Sequence, residues 1–539
     1  MHKLADRLGL RTDPIIFFVS ATFMVVFVVV LAAFPGPIGD AFATARDWIV
    51  RNLGWFFILG VNVWLAFLLF AAFSSYGHIR LGRPDDRPEY SNLSWFTMLF
   101  AGGIGTVLMF WGVAEPISHF STPPLPGVEP FSPEAARDGI SIAIYHLGLH
   151  TWAIFALPGL AFAYFIYRYE LPLRVSSVFW PMLGDRIHGP VGKGIDVLAI
   201  LGTVFGVAVS LGLGTSQIAA GLEELFGWEN GVPLRIGILA VLTVVAVTSI
   251  VAGLDKGVKL LSNINIGMAV GLMIFILITG STLFLLRGIV ETVGLYIGNL
   301  PRLAFWNDML STYMPEREDW GWQGSWTVFY WAWTVTWSPF IGLFVARISK
   351  GRTIREFVLG VLFAPSIFTL VWFAIFGWGA MGIDGIGEEA RAAMGDQAGR
   401  ISDAVAESVP LAMFAFFESF PATTFLQGLG VVIVAIFFAT SSDSASLVVD
   451  MLCSGEAEAG PTRQRVFWGV SEGAVAGVLM LLAGDQALEA LRQVITVVGL
   501  PIFVMVSLMV VSLGMGFARE RIDRVEIHAP DRPDSKPAE

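Results

Sequence analysis

The sequence is poor in the residues on which soluble proteins and enzymes depend. Only 14% of its 539 residues are charged, against about 25% in an ordinary soluble protein. The one cysteine, Cys453, excludes a disulfide within the chain. We find no Ser-His-Asp arrangement, phosphate-binding glycine loop or zinc signature, so we expect no enzymatic activity. The net charge of −11 gives no reason to expect nucleic acid as a partner.

What the chain has in excess is apolar residues, which make up 55% of its length. A run of roughly 20 such residues crosses a bilayer core of ~30 Å as a helix. Twelve runs are predicted to span the membrane, near 14–34, 53–73, 95–114, 140–165, 194–215, 233–252, 260–286, 323–346, 356–380, 424–451, 465–483 and 496–517. The first lacks a cleavage pattern, so we expect it to be retained.

The charges of the connecting segments predict the orientation. Most of the 33 Lys and Arg residues fall on the side of the membrane that holds the N-terminus. The positive-inside rule therefore places both termini in the cytoplasm, as an even number of spans requires.

Two predicted spans carry helix-weakening residues. The third contains Gly102, Gly103 and Gly105, which let the backbone unwind. The eighth contains Pro339, which predicts a kink or a break. The two spans are five apart, and weakened segments at matching positions of two halves are typical of transporters with inverted repeats and a midplane site. The alternative is that these residues serve only helix packing.

These signals divide an all-α integral membrane protein into five parts. We predict a cytoplasmic N-terminus with two peripheral spans at 1–94, a first five-span repeat (spans 3–7) at 95–286, an outer interfacial helix at 287–322, a second five-span repeat (spans 8–12) at 323–518 and a short cytoplasmic tail at 519–539. The mixed polarity of 288–313 favours a helix lying at the membrane interface. We expect 382–423 to form an outer hairpin loop.

The eighth span is unusually rich in tryptophan. Trp326, Tyr330, Trp333 and Trp337 follow helical spacing on one face. Their extent of roughly 16 Å is too long for an interfacial belt alone. Hydroxyl residues lie on the adjacent face, which indicates a cavity wall. Tryptophan is the best cation–π partner for a methylated ammonium, although aromatic packing between helices would give the same pattern.

The fourth span adds aromatic and histidine side chains. Trp152 and Phe155 lie one turn apart and are suited to the same cavity. His146 and His150 also share a predicted face, but no Cys or carboxylate near them in the sequence completes a metal site. Hydrogen-bonded structural histidines are therefore the favoured interpretation.

The tenth span contains ATSSDSAS at 439–446, where Asp443 lies among hydroxyl residues. A carboxylate within a span costs at least ~2.5 kcal/mol to bury, so it predicts a functional site. Hydroxyl oxygens, with carbonyls freed by the third span, are hard ligands that suit sodium. The alternative is that these hydroxyls bond back to the helix carbonyls.

Four segments together resemble the betaine–carnitine–choline transporter family. They are FWGVAEP at 110–116, GLDKGVKLLSNIN at 253–265, the tryptophan run continuing through SPF and ARIS at 326–357, and ATSSDSAS at 439–446. The resemblance implies a leucine-transporter-like fold, homotrimers in the bacterial inner membrane and alternating access to a central aromatic site. It implies no cofactor other than sodium as the coupling ion.

The resemblance also implies individual site residues. The substrate region would comprise Thr106, Leu147, Trp152, Phe155, Trp331, Trp333, Thr334 and Trp337. The sodium ligands would be the hydroxyls of Thr440 and Ser441 with the backbone carbonyls of Ala101, Ile104 and Phe437. Sodium-independent exchangers of the family carry an arginine in the seventh span, where this chain has Ile266. Sodium symport is therefore favoured over exchange.

Three departures from the family pattern bear on the substrate. The third span loses its last glycine at Val107, and Leu147 and Thr334 stand where relatives usually have tryptophan. We predict a sodium-coupled symporter that imports a small zwitterionic or cationic methylated compound, and hypothesise a sulfonium, sulfonate or cyclic osmolyte rather than a standard betaine. The short, proline-containing tail makes osmotic activation unexpected. A sodium-independent exchanger is the nearer alternative, and a channel or membrane sensor the remote one.

Overall fold

The structure is a computed structural model, and it describes the backbone of residues 1–101, 105–252, 255–309, 321–456, 458–483 and 487–528. In these ranges the chain is helical and no β-strand occurs. A single isolated bridge joins Arg80 and Thr353. Eleven helical stretches of the described residues are long and apolar enough to cross a membrane. The predicted all-α, multi-span fold is therefore confirmed.

The first half of the described chain contains the two peripheral helices and the first predicted repeat. Its α-helices are α1 (His2–Leu8), α2 (Pro14–Ala33), α3 (Pro35–Phe73), α4 (Asn92–Ala101), α5 (Gly105–Ser121), α6 (Pro133–Leu147), α7 (Leu149–Phe162), α8 (Trp180–Leu183), α9 (Pro190–Phe226), α10 (Val232–Ala252), α11 (Asp255–Thr279) and α12 (Thr282–Ala304). Short 3₁₀ segments lie at Ser75–His78, Ser176–Phe179 and Gly184–His188, and a π-helical segment lies at Ala163–Arg168.

The second half contains the tryptophan-rich helix. Its α-helices are α13 (Gly321–Ser325), α14 (Thr327–Ile348), α15 (Ile354–Asp384), α16 (Glu388–Met394), α17 (Arg400–Glu407), α18 (Ala412–Phe417), α19 (Thr423–Ser454), α20 (Thr462–Ala483) and α21 (Ala487–His528). Residues 382–423, predicted as a hairpin loop, hold the three short helices α16 to α18.

The count of twelve spans stays a prediction. The eleven helical stretches include α12, which was predicted to lie at the interface, and do not include α20. The third predicted span is divided between α4 and α5, each of which is short, and residues 102–104 between them lie outside the described chain. The division into two five-span repeats likewise stays a prediction.

Helix starts follow from local side chains. The carboxylate of Asp13 accepts hydrogen bonds from the backbone N–H groups of Ile15 and Ile16, at 3.0 and 3.3 Å, and so caps α2. Thr353 and Glu356 form a reciprocal capping box at the start of α15. Each cap satisfies backbone donors that the first helical turn leaves without partners.

The seventh predicted span ends earlier than the sequence suggests. Helix α11 stops at Thr279, not at 286, and α12 begins at Thr282. The hydroxyl of Thr282 donates to the carbonyl of Leu277 at 2.8 Å, which holds the chain in a turn at Gly280. The turn residues 279–282, which read Thr-Gly-Ser-Thr, interrupt the apolar run. Glycine among hydroxyl residues is a turn signal, and the predicted bounds of 260–286 did not use it.

Of the kink or break predicted at Pro339, the break is wrong, and the kink stays a prediction. Helix α14 runs without interruption from Thr327 to Ile348, because losing one N–H donor leaves the rest of the ladder intact inside a protein environment. Two discontinuities lie elsewhere. One is at Trp326, just before α14, and the other at Gly148, where α6 gives way to α7.

Helix α14 is enclosed by the rest of the protein. Every residue from 327 to 343 is buried, and its main packing partners are α7, α9 and α21. A helix that is buried on all sides belongs to the core and not to the lipid boundary. The tryptophans of this helix are therefore placed inside the molecule.

Candidate substrate and sodium sites

The aromatic stripe of α14 is present as predicted. Ring centroids of Trp326 and Tyr330 lie 6.3 Å apart, those of Tyr330 and Trp333 6.4 Å, and those of Trp333 and Trp337 6.5 Å. These spacings put the four rings on one face of the helix. Trp333 and Trp337 are each only 3% exposed, which excludes a belt of tryptophans facing lipid headgroups.

A small cavity lies beside this stripe, between α5, α7 and α14. It is lined by Val107, Leu147, Thr151, Phe155, Trp333, Thr334 and Trp337. It leaves about 10 Å³ for the centre of a water molecule, which is close to the minimum that one water needs. A solute of several heavy atoms enters only if the helices separate, so the structure shows this cavity in a closed form.

Five of the predicted substrate residues meet at this cavity. They are Leu147, Phe155, Trp333, Thr334 and Trp337. Sequence reasoning missed Val107 and Thr151. Thr151 carries a signal that could have been used, since it is a hydroxyl residue inside an apolar run. Val107 also carries a signal, since it stands where the family pattern has the last glycine of the third span.

Two predicted residues do not line the cavity. Trp152 is buried with its ring edge against Phe155, at a centroid distance of 5.6 Å. Trp331 stacks on His150 at 5.9 Å and an interplanar angle of 13°. Trp331 lies two positions from Trp333, which turns it to another side of α14. The side chain of Thr106 lies outside the described residues.

Hydrogen bonds of the cavity residues define what each can offer a ligand. The Thr334 hydroxyl donates to the carbonyl of Tyr330 at 2.6 Å, so its oxygen keeps lone pairs that can accept. The indole N–H of Trp333 donates to Ser210 at 3.1 Å. The indole N–H of Trp337 has no partner among the described residues.

Thr151, which also lines the cavity, likewise donates its hydroxyl to a backbone carbonyl, that of His146. The residues of the cavity wall thus hold two hydroxyl oxygens that can accept and one donor without a partner among the described residues, and the surface of the closed cavity itself is apolar.

The histidines of the fourth span are hydrogen bonded, as the sequence analysis favoured. Nδ1 of His146 lies 2.5 Å from Glu115 Oε1, and its Nε2 lies 2.9 Å from the hydroxyl of Thr327. Nε2 of His150 lies 3.0 Å from Asn62 Oδ1. The fold nevertheless brings a carboxylate beside them, because Glu115 on α5 lies next to His146 from 31 positions earlier.

The predicted sodium segments contact one another. A Cβ atom added to Gly105 would lie only 2.0 Å from the Phe437 ring, so glycine is what permits α5 and α19 to approach so closely. The Thr440 hydroxyl donates to the carbonyl of Ile436 at 2.8 Å, which is the back-bonding alternative. The Ser441 hydroxyl makes no hydrogen bond within the described chain. Ile104 and the side chain of Ala101 lie outside it.

The remaining polar groups of α19 are directed elsewhere. Asp443 accepts from Ser249 at 3.2 Å and lies 3.8 Å from the guanidinium of Arg465. The hydroxyls of Ser442 and Ser446 donate to Glu472 on α20, at 2.6 and 3.2 Å. Sequence reasoning did not single out Glu472. Ser442 and Ser446 of the hydroxyl-rich segment therefore donate to a buried carboxylate. The hydroxyl of the neighbouring Ser441 takes no part in these bonds.

The seventh span packs against α19 through an amide. Nδ2 of Asn265 donates to the carbonyl of Ile433 at 3.1 Å, and Asn265 is fully buried. Ile266 follows directly. Since α11 contains no arginine, no guanidinium from this helix can take the place of a sodium ion.

A model of the betaine/carnitine/choline family of transporters matches residues 15–522. This match, the membrane-spanning helices and the enclosed aromatic cavity define a membrane transporter and not an enzyme. The chain belongs to the betaine/carnitine/choline transporter family, in agreement with the segments singled out in the sequence.

Relatives of known name are similar over most of their length. The chain is 45% identical to the ectoine/glycine betaine/proline transporter EctP of Corynebacterium glutamicum, over 96% of this chain and 82% of that protein. It is 41% identical to glycine betaine transporter 1 of Vibrio parahaemolyticus, over 96% of each. It is 38% identical to the glycine betaine transporter OpuD of Bacillus subtilis, over 96% of this chain and 98% of that protein.

Proposed function

We propose that the protein is a sodium-coupled symporter that imports a small zwitterionic solute of the betaine, ectoine or proline type. The observation that carries this proposal is the cavity between α7 and α14, whose walls include Phe155, Trp333 and Trp337. Aromatic faces attract the cationic end of such a solute. The named substrates of the relatives have the same zwitterionic chemistry.

The polar groups of the cavity favour a solute that carries an N–H group. The oxygen of Thr334 can accept a hydrogen bond while its own hydrogen stays on the Tyr330 carbonyl. Ectoine and proline have N–H donors, whereas the quaternary nitrogen of glycine betaine has none. The free indole N–H of Trp337 supplies a donor for the solute carboxylate. We therefore place ectoine and proline ahead of glycine betaine.

Sodium coupling is proposed from the contact of α5 with α19. The hydroxyls of Thr440 and Ser441, with backbone carbonyls at Ala101, Ile104 and Phe437, would supply the oxygen ligands that a small hard cation needs. The back-bonded hydroxyl of Thr440 keeps lone pairs for an ion. Sodium bound between the two helices would favour the outward-open state that accepts solute.

The closed cavity supports transport by alternating access. Its volume of about 10 Å³ excludes both solute and bulk water, so the site opens to each side of the membrane in turn. Rocking of one helix bundle against the other around a midplane site is the way in which inverted-repeat transporters accomplish this. We also propose homotrimers in the bacterial inner membrane, with both termini cytoplasmic.

Transport in proteoliposomes tests the proposal. The purified protein is reconstituted, and uptake of radiolabelled ectoine, proline and glycine betaine is followed with an inward sodium gradient, with equal sodium on both sides, and with potassium instead. We expect concentrative uptake only with the gradient. Uptake that needs internal solute but no sodium would identify an exchanger, and uptake that never exceeds equilibration would identify a channel.

A further inference from the structure

A buried carboxylate lies on α5, the helix that also supplies Val107 to the cavity wall. Glu115 on α5 is 0% exposed. Its Oε1 lies 2.5 Å from Nδ1 of His146 on α6, and its Oε2 accepts from the hydroxyl of Tyr330 on α14 at 2.6 Å. No Lys or Arg of the described residues forms an ion pair with it. A charge in such a place is expensive to keep, and none of the transport steps above uses it.

A hydrogen bond from Trp322 fixes the tautomer of His119, which lies beside this carboxylate. The indole N–H of Trp322 donates to Nδ1 of His119 at 3.3 Å. Since an indole N–H can only donate, Nδ1 is the acceptor and the ring hydrogen of the neutral histidine sits on Nε2. That nitrogen lies 3.5 Å from Glu115 Oε1. His119 therefore keeps no lone pair for a metal ion and cannot take a second proton without opposing the indole.

The hydrogen on Nε2 of His119 opposes binding of a metal ion by this cluster. Ligand atoms of Glu115, His119 and His146 lie within 4.8 Å of one another, and two histidines with a carboxylate is a donor set known for zinc. A histidine that ligates a metal donates its other N–H to an acceptor. The partner of His119 is a donor, so the group is not built to ligate a metal.

His146 can carry one more proton without losing a hydrogen bond. When the ring is neutral, Nδ1–H donates to Glu115 and Nε2 accepts from the Thr327 hydroxyl, 2.9 Å away. When the ring is protonated, Nε2–H donates to the same hydroxyl, which can accept as well as donate. Every hydrogen bond of His146 is therefore kept whether its ring is neutral or protonated. The pair of Glu115 and His146 carries one negative charge when the ring is neutral and no net charge when it is protonated.

The cluster is connected to the cavity at two points. The carbonyl of Tyr330 accepts the hydrogen bond of Thr334, and Leu147 follows His146 in the chain. Both Thr334 and Leu147 line the cavity.

Glu115 lies eight positions, about 12 Å of helix rise, from the lining residue Val107 on α5. A negative charge at this range attracts the cationic end of a solute through the protein interior, and its loss on protonation weakens that attraction.

We propose that Glu115 and His146 form a proton-binding site, and that a proton bound there opposes binding of the zwitterionic solute in the adjacent cavity. The effect on solute binding rests on the proposed function, whereas the proton site itself does not. The other titratable or charged groups that face the pair are His119 on α5, Tyr145 on α6, His150 on α7, Tyr330 on α14 and Arg492 on α21.

Calorimetry on the purified wild-type protein tests the coupling. Ectoine and glycine betaine are titrated at several values from about pH 5 to about pH 9, in buffers with different heats of ionisation, which reports the protons released on binding. Because linkage is reciprocal, one coupled proton changes the dissociation constant by up to about tenfold per pH unit. We expect proton release and tighter binding as the pH rises.

Variants assign the effect to the pair. Glu115→Gln removes the charge, and we expect it to bind solute with a dissociation constant that no longer depends on pH and lies near the wild-type value at low pH. His150→Gln, outside the pair, and Glu129→Gln, an exposed carboxylate, should keep the wild-type slope. A slope that persists in Glu115→Gln, or a flat wild-type profile, would overturn the coupling.

Infrared spectra of the solute-free protein test the proton site independently. Acidification of the wild type should change carboxylate and imidazole bands that are missing in Glu115→Gln and in His146→Gln. Identical difference spectra in wild type and Glu115→Gln would overturn the site even if transport is confirmed. Inhibition by zinc chloride that disappears in His119→Gln would also overturn it, in favour of a metal. Failure of both solutes to bind, with the infrared signal present, would count against the proposed function alone.

Discussion

Replacement of Thr334 by valine is the change that most directly separates the possible solutes. Valine has nearly the same shape as threonine but no hydroxyl oxygen, so the cavity wall keeps its volume and loses one of its two hydroxyl acceptors, while Thr151 keeps the other. The Tyr330 carbonyl loses the bond from the hydroxyl but still accepts the helical N–H bond, so the helix itself should be little affected. The change should therefore lower the affinity only for a solute that donates a hydrogen bond to this oxygen.

The magnitude follows from the cost of a donor left without a partner. An N–H group held in a closed cavity without an acceptor costs ~1–3 kcal/mol, which weakens binding by roughly 5- to 150-fold. We expect a loss in this range for ectoine and proline. Glycine betaine has no N–H, so its affinity should change less than about twofold. The affinity for ectoine or proline relative to that for glycine betaine should therefore fall by nearly the same factor of roughly 5 to 150.

The assay is competitive uptake in proteoliposomes, checked by direct binding to the detergent-purified protein. Thr336→Val is the matched control, because Thr336 is on the same helix, is fully buried and also donates to a backbone carbonyl, at 2.6 Å, but does not line the cavity. We expect Thr336→Val to leave the selectivity unchanged. Equal losses for ectoine and glycine betaine in Thr334→Val would refute the role of this oxygen.

Three further predictions concern sodium, helix packing and pH. Thr440→Ala should raise the sodium concentration for half-maximal uptake by about tenfold or more, since a ligand to a charged group contributes ~1.5–3 kcal/mol; an unchanged sodium curve would remove Thr440 from the site. Gly105→Ala should lower the melting temperature, because overpacking against Phe437 costs ~1–3 kcal/mol, and Phe437→Leu should recover part of the loss in a differential scanning assay. Burial opposes ionisation of Asp13, but Lys193 at 2.8 Å and two backbone N–H groups outweigh it and hold its pKa below the usual range. The stabilisation by ionised Asp13 is therefore full above its unfolded pKa and disappears as the pH falls through the folded value, so Asp13→Asn should melt lower than wild type at neutral pH and equally at acidic pH.

The sequence predicted what depends on periodicity and composition. The spacing of Tyr330, Trp333 and Trp337 predicted one buried aromatic face, and the distances between their rings confirm it. The same pattern could not say which neighbours of the stripe reach the cavity. Trp331 is an indole in the same run but turns toward His150, and this depends on the packing of α7, which no local pattern contains.

Breaks in helices were predicted less well, because they depend on tertiary partners. Pro339 was expected to kink or break its helix, and the helix runs through it without interruption. The actual discontinuity at Gly148 is accompanied by a hydrogen bond from the N–H of Leu149 to the hydroxyl of Tyr296, at 3.2 Å. Tyr296 belongs to a helix almost 150 positions away, so its contribution could not be anticipated from the fourth span alone.

The partners of the buried carboxylates likewise could not be predicted from the local sequence. Asp443 was noticed because it stands in a conspicuous run of hydroxyl residues. Glu472 was not noticed, and Glu115 was quoted only as part of the FWGVAEP segment and given no role. The partners of Glu115 come from α6 and α14. A single carboxylate in an apolar span predicts that partners exist, but only the fold shows that they are a histidine and a tyrosine beside the cavity.

The central claim is that a sodium gradient drives uptake of a small zwitterion through the cavity between α7 and α14. The most direct test is the initial rate and final level of ectoine uptake into proteoliposomes, measured with and without an inward sodium gradient at fixed membrane potential. We predict accumulation above the external concentration with the gradient and none without it. Equal accumulation in the absence of sodium, or no uptake of any zwitterion under either condition, would contradict the account.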